Sequence, residues 1–326
     1  MHYSFLLNTS MRTLFRLCVA TVALSLSAAS GAQISTYLGP TYKKAHSWFL
    51  LAEGGDQTAI DALRASASAR DTWSALFYGY ILQLGVGGVA VNLPGAMAAY
   101  LLAAPSSDSA KEGLTIAAYN LGLMHLWGES TPEGGTDISG AVKWFRVAAL
   151  ADTGGGGVLP AAMQLGVIYE QGFGRQPRNM AEAARWYAEA AKFGDPVALY
   201  KHGRILIEGE YATRSPGVGM TLLERAAQRG SREAMYYLAN VFATGEDYAQ
   251  KNKLTSYIWL YVAATSGRND NIDPAFQAAV LDAQTRMQPS EITFCRVEGK
   301  KFKARYGVRP PTVRYNVPLN TPVNQY

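Results

Sequence analysis

Residues 161–194 read AAMQLGVIYEQGFGRQPRNMAEAARWYAEAAKFG. Ala161, Leu165 and Tyr169 stand four residues apart, so they share one face of a helix. Gly166 lies inside that helix. Gly172 ends it, because glycine readily takes the left-handed conformation that stops a helix. After a turn, Trp186 precedes Ala190 by four residues, which puts a large and a small side chain one turn apart on a second helix. The stretch is a helix–turn–helix.

The same pattern recurs on both sides. Ser74–Gly79, Ala117–Gly122, Ala198–Gly203 and Ala234–Ala239 repeat the first helix. A closing glycine follows each, at Gly85, Gly128, Gly209 and Gly245, with Leu82, His125, Leu206 or Phe242 just before it. Tyr100–Ala104, Trp144–Ala149, Leu222–Ala227 and Trp259–Ala264 repeat the second helix. Successive units are 36 to 44 residues apart. A mid-helix glycine costs ~1 kcal/mol against alanine, so its recurrence implies close approach of a neighbouring helix. Trp144, Trp186 and Trp259 share a register and are expected to be buried.

The pattern A-x-x-x-L-G-x-x-Y-x-x-G-x-G…A-x-x-W-Y-x-x-A-A-x-x-G resembles the Sel1-like repeat, a relative of the tetratricopeptide repeat. Leu165-Gly166, Tyr169, Gly172-Phe173-Gly174, Ala181, Ala184, Trp186-Tyr187, Ala190-Ala191 and Gly194 carry it best. Residues 117–154 and 234–267 match well; residues 74–104 and 198–230 are degenerate. The resemblance implies an all-α, right-handed solenoid of about five repeats, spanning 71–267. It implies a protein–protein interaction scaffold rather than an enzyme. Exported bacterial relatives take part in envelope regulation, exopolysaccharide assembly or host contact. Residues 33–70 and 268–306 read as capping helices, since end repeats need a cover for their apolar face. Residues 307–326, with Pro310, Pro311, Pro318 and Pro322, read as a flexible, extended tail.

The N-terminus reads as an export signal. Arg12 and Arg16 precede the apolar run Leu17–Ala29, and Ser30-Gly31-Ala32 fits a signal-peptidase site before Gln33. The run is shorter than the roughly 20 residues a spanning helix needs. Arg16, two residues before Cys18, argues against a lipidation signal. The expected location is the periplasm or outside the cell. Loss of residues 1–32 would lower the formal charge from +5 to +3 and leave Cys295 as the one cysteine, expected to be a small buried hydrophobe. The 326 residues are 48% hydrophobic and 17% charged, which excludes a disordered chain, and two cysteines exclude a disulfide scaffold.

Signals for chemistry are weak. Gly85-Val86-Gly87-Gly88-Val89-Ala90 has dinucleotide-fingerprint spacing, but a helix precedes it where the fingerprint needs a strand. It reads as a repeat loop, and Gly154–Gly157 as a linker. Ser109-Ala110-Lys111 is a lone S-x-K. His46, His125 and His202 lack metal-ligand spacing; His125 and His202 fill packing slots, with Glu208 and Glu210 near His202. No catalytic residue, cofactor or metal is implied. Aromatics outside the helical register, Trp127, Phe173, Tyr211 and Tyr248, are candidate surface contacts. Arg296–Arg314 holds seven basic residues and one acid, and Lys300, Lys301, Lys303 and Arg305 could meet an anionic polymer or a membrane surface. The partner expected is an envelope or extracellular protein, with nucleic acid and a transmembrane span excluded. A carbohydrate- or peptidoglycan-binding module is the alternative.

Overall fold

The computed structural model describes residues 39–107, 113–130, 134–150, 158–174, 176–266 and 272–307. The expected export signal, Ser109–Lys111, the Gly154–Gly157 stretch and the residues beyond Gly307 lie outside the described residues. Fourteen α-helices and no strand occur among the described residues, with one 3₁₀ turn at Val86–Gly88. That turn occupies the glycine-rich 85–90 segment and joins two helices, as expected of a repeat loop.

The chain parts into two compact units near Ala161. The first holds α1 (Gly39–Glu53), α2 (Gln57–Ser68), α3 (Thr72–Leu84), α4 (Leu93–Ala103), α5 (Thr115–Leu126) and α6 (Ile138–Leu150). Phe49, Leu63, Phe77 and Ile81 form one core there, and Tyr100, Leu121 and Met124 belong to a second. The second unit takes most of α7 (Val158–Gln171), then α8 (Met180–Ala191), α9 (Pro196–Glu208), α10 (Pro216–Gln228), α11 (Arg232–Thr244) and α12 (Lys253–Ala264). Against α12 pack α13 (Pro274–Thr285) and α14 (Pro289–Tyr306), around Tyr257, Val280 and Cys295. The Cys295 thiol is fully buried, and burial pushes its pKa up.

Each pair, α3–α4 through α11–α12, uses the same joints. The closing glycines Gly85, Gly128, Gly172, Gly209 and Gly245 all have positive φ. The first residue of each second-helix cap donates its N–H to the first helix: Asn92 to Leu82 O (2.8 Å), Asp137 to His125 O (2.9 Å), Asn179 to Tyr169 O (2.8 Å), Ser215 to Leu206 O (2.8 Å) and Asn252 to Phe242 O (2.8 Å). Four of these five side chains also cap the helix they begin, at Gly95, Gly140, Glu182 and Thr255 N–H. Such a cap contributes about 1 kcal/mol.

The mid-helix glycines seat a ring. A Cβ on Gly79 would fall 2.8 Å from Tyr100, and one on Gly122 or Gly166 would fall 2.5 Å from Phe145 or Tyr187. At Gly203 no ring is seated: an added Cβ would fall 2.9 Å from Gly219 O, with Leu222 Cβ and Leu223 Cγ at 3.2 and 3.3 Å. The seated rings correct the tryptophan register. Trp186 is 7% exposed, but Trp144 and Trp259 are only half-buried. The core slot is one residue later, where Phe145 and Tyr187 are fully buried. One residue turns a helix by 100°, so the preceding tryptophan rides the flank of the buried stripe. Tyr100 belongs with Phe145, not with Trp144.

Candidate functional site

The candidate site is a cleft of about 470 Å³ in the second unit, lined by Tyr200, Arg232, Glu233, Tyr236, Tyr237, Asn240 and Phe276. These residues come from α9 and α11, each the first helix of its pair, and from α13, which packs on α12. Side chains three or four apart on α11 project the same way, which brings Arg232, Glu233, Tyr236, Tyr237 and Asn240 together.

Two ring pairs build the walls. Tyr200 and Tyr237 meet edge-on with centroids 6.4 Å apart. Tyr236 and Phe276 do so at 5.6 Å. The Arg232 guanidinium lies 4.8 Å from the Phe276 centroid, donates to Asp273 Oδ2 at 2.7 Å, and donates through Nε to Ala263 O at 3.2 Å. A guanidinium fixed this way presents a pre-ordered cation. Burial raises the Tyr200 and Tyr237 hydroxyls above the usual phenol range, so both stay neutral donors. Tyr236 is 41% exposed, and Glu233 and Asn240 are exposed at the rim.

A polar network supports the Tyr200 wall. The Tyr187 hydroxyl donates to Glu170 Oε2 at 2.6 Å, and Lys201 Nζ reaches Oε1 at 2.7 Å and Oε2 at 2.9 Å. Arg204 lies 6.0 Å from the Tyr200 ring and 3.3 Å from Glu208. Burial opposes ionisation of Glu170, yet Lys201 and Tyr187 outweigh it and hold the carboxyl below its ordinary value. In the first unit, Gln83 stands at the position of Glu170, four residues after the seat glycine. It accepts from the Tyr100 hydroxyl at 2.9 Å and donates to Glu129 at 2.6 Å.

The aromatics singled out in the sequence do not form one site. Trp127 caps α5 in the first unit, and Phe173 follows Gly172 in the second; both are half-buried. Tyr211 is half-exposed and its hydroxyl bonds to Glu210. Tyr248 bonds to Tyr237, which lines the cleft, and Arg214 lies 5.8 Å from its ring. Of the basic residues, Lys303 donates to Thr265 O at 2.9 Å at the end of α12, and Lys301 pairs with Glu298 at 2.7 Å. Lys300 and Arg305 are exposed.

His125 Nδ1 sits 2.9 Å from Asp137 Oδ2, tying two helices of one repeat. His202 is half-buried, and burial lowers its pKa; Glu208 turns to Arg204 instead. No cluster of His, Cys, Asp and Glu suited to a metal occurs among the described residues. The cleft offers rings, a guanidinium, a carboxylate and an amide, a set suited to binding.

The Sel1 repeat model matches residues 115–152, 159–195, 196–231 and 232–267. The chain carries four Sel1 repeats. The α3–α4 pair lies before the matched residues, yet it has the same glycine seat and cap bond. Sel1 repeats are in general protein–protein interaction scaffolds, and the fold is non-catalytic. A Sel1 repeat protein from Oxalobacter formigenes is 23% identical, with a TM-score of 0.51, covering 79% of this chain and 99% of its own; it shows the fold. A protective antigen of uropathogenic Escherichia coli with an SLR fold is 16% identical at a TM-score of 0.46, covering 84% of this chain and 63% of its own. An uncharacterized protein of Neisseria meningitidis serogroup B is 28% identical over 137 residues, 42% of this chain. The match spans 26% of that relative's length.

The sequence reading missed Tyr200, Tyr236, Arg232 and Phe276. One signal for the supporting network was present. Where the second helix carries a tyrosine on the seat glycine, the first carries Gln83 or Glu170; opposite Phe145 and Leu223 it carries Leu126 and Ile207.

Proposed function

We propose that this chain is an exported scaffold that holds a segment of a partner protein in the α9–α11–α13 cleft. The observation carrying this reading is the part-exposed Tyr236–Phe276 ring pair beside the fixed Arg232. Aromatic and arginine side chains held rigidly dominate binding energy at protein interfaces, because little ordering cost remains to be met on association. Export rests on the Arg12–Ala32 signal, and an envelope role in regulation, exopolysaccharide assembly or host contact rests on the repeat family. Among the described residues no helix is long and apolar enough to cross a membrane.

The test is affinity capture from envelope extract with the wild-type chain, Tyr236→Ala and Phe276→Ala, beside a glycan array. A partner held by the wild type and released at least tenfold faster by both variants supports the scaffold. Glycan binding without a protein partner would move the assignment to the carbohydrate module, and turnover of a substrate would reject both. Mass spectrometry of the same material should find Gln33 at the mature N-terminus; Met1 or Met11 retained on envelope protein would reject export by cleavage.

A further inference from the structure

The last helix has two different faces. Cys295 and Gly299 point inward and are buried, and a Cβ on Gly299 would fall 2.7 Å from Tyr261 of α12. Half a turn away, Phe294 is 52% exposed and Val297 is 46% exposed. They are three residues apart, so they form one apolar ridge. A phenylalanine left half in water is apolar area that a partner would remove from water.

The ridge is flanked by cations. Arg296, Lys300 and Arg305 are exposed, and among the described residues no carboxylate pairs with them. The acids of this helix are engaged elsewhere, Glu298 with Lys301 and Glu291 with Lys253. Arg309 and Arg314 follow in the sequence with no acid between. The outer face of α14 is thus apolar at its centre and basic around it.

We infer that the outer face of α14 docks on an anionic phospholipid surface. A polysaccharide or other polyanion would satisfy the cations and leave Phe294 and Val297 in water. A bilayer interface satisfies both, since apolar side chains enter the headgroup boundary while basic residues meet the negative surface potential. Two apolar side chains give shallow, reversible attachment, so binding falls with salt. The cleft on α9, α11 and α13 uses none of these residues, so a membrane-resting scaffold keeps it for its protein partner.

The test is co-sedimentation of the full chain with vesicles of phosphatidylcholine, alone or with about 30% phosphatidylglycerol. The apolar run at Leu17–Ala29 is common to every variant, so differences between variants report α14. Wild type is expected to partition onto the anionic vesicles and to leave them in high salt. R296E/K300E/R305E and F294S/V297S should each bind at least tenfold more weakly with unchanged thermal midpoints, while R296K/K300R/R305K should bind as wild type does. Tyr236→Ala should also bind normally, which separates this surface from the cleft. Absence of wild-type binding overturns the inference. So does unchanged binding by F294S/V297S, which would mark a general polyanion site. So does wild-type dimerisation abolished by F294S/V297S, which would assign the ridge to a second copy.

Discussion

At the scale of single residues, the Gly166 seat is a strict requirement. Its missing Cβ is the space that Tyr187 fills at 2.5 Å. Gly166→Ala should destabilise the protein by about 1–3 kcal/mol in urea unfolding, because overpacking outweighs the helix-propensity gain. Gly217 has nothing within 4 Å of an added Cβ, so Gly217→Ala should be neutral or slightly stabilising. Equal effects at both sites would contradict the seat. Glu170 and Glu129 should respond to pH in opposite directions. Lys201 and Tyr187 hold Glu170 below its ordinary value of 4.5. Its contribution is present above that value and lost as pH falls through the lowered folded value. Burial raises Glu129 above 4.5, only partly offset by Gln83. Between 4.5 and its raised value the folded state holds an extra proton, so stability falls as pH rises through that window. Glu170→Gln should therefore lower Tm at about pH 7, and the deficit should shrink toward about pH 3. Glu129→Gln should raise Tm at about pH 7, with the gain fading on acidification. Melting curves across pH read both, and parallel trends would contradict the assignment.

At the scale of elements, the helix pairs were legible because glycine and alanine recur at helical offsets. The closing glycines follow from the same reading. The tryptophan register did not, for a physical reason. In Trp144-Phe145 and Trp186-Tyr187 both neighbours are aromatic, and periodicity alone does not say which meets the glycine. The seat takes the ring of Phe145 or Tyr187 and leaves the larger indole on the flank. Phe145→Ala should accordingly cost ~3–5 kcal/mol, and Trp144→Ala clearly less. Denaturation midpoints with matched m-values decide it, and a larger loss for Trp144→Ala would contradict the Phe145 seat. The cap residues Asn92, Asp137, Asn179, Ser215 and Asn252 were also missed. Their side chains are ordinary helix caps, but the shared N–H donation to the preceding helix depends on how the turn folds back.

At the scale of the whole molecule, function was less legible than fold. The repeat pattern marks residues that pack, and packing is what makes it recur. Tyr200 and Tyr236 share one slot with the buried Tyr119, so they read as packing; the Arg232 slot differs from repeat to repeat, and Phe276 lies beyond the last one. They meet only because α9, α11 and the following helix α13 present neighbouring faces. Of the turn aromatics that stand out of register in the sequence, Tyr248 bonds to Tyr237 of the cleft wall and Trp127 is the C-cap of α5. The central claim is that this cleft is the contact surface for a protein partner. Its most direct measurement is photo-crosslinking in living cells, with a benzophenone amino acid at Tyr236, at Asn240 on the rim, or at exposed Val218 of α10 as reference. Discrete adducts from positions 236 and 240, absent from 218 and lost when Phe276→Ala is added, are the expected result. Adducts of equal strength from all three positions, or from 218 alone, would contradict the assignment of the cleft.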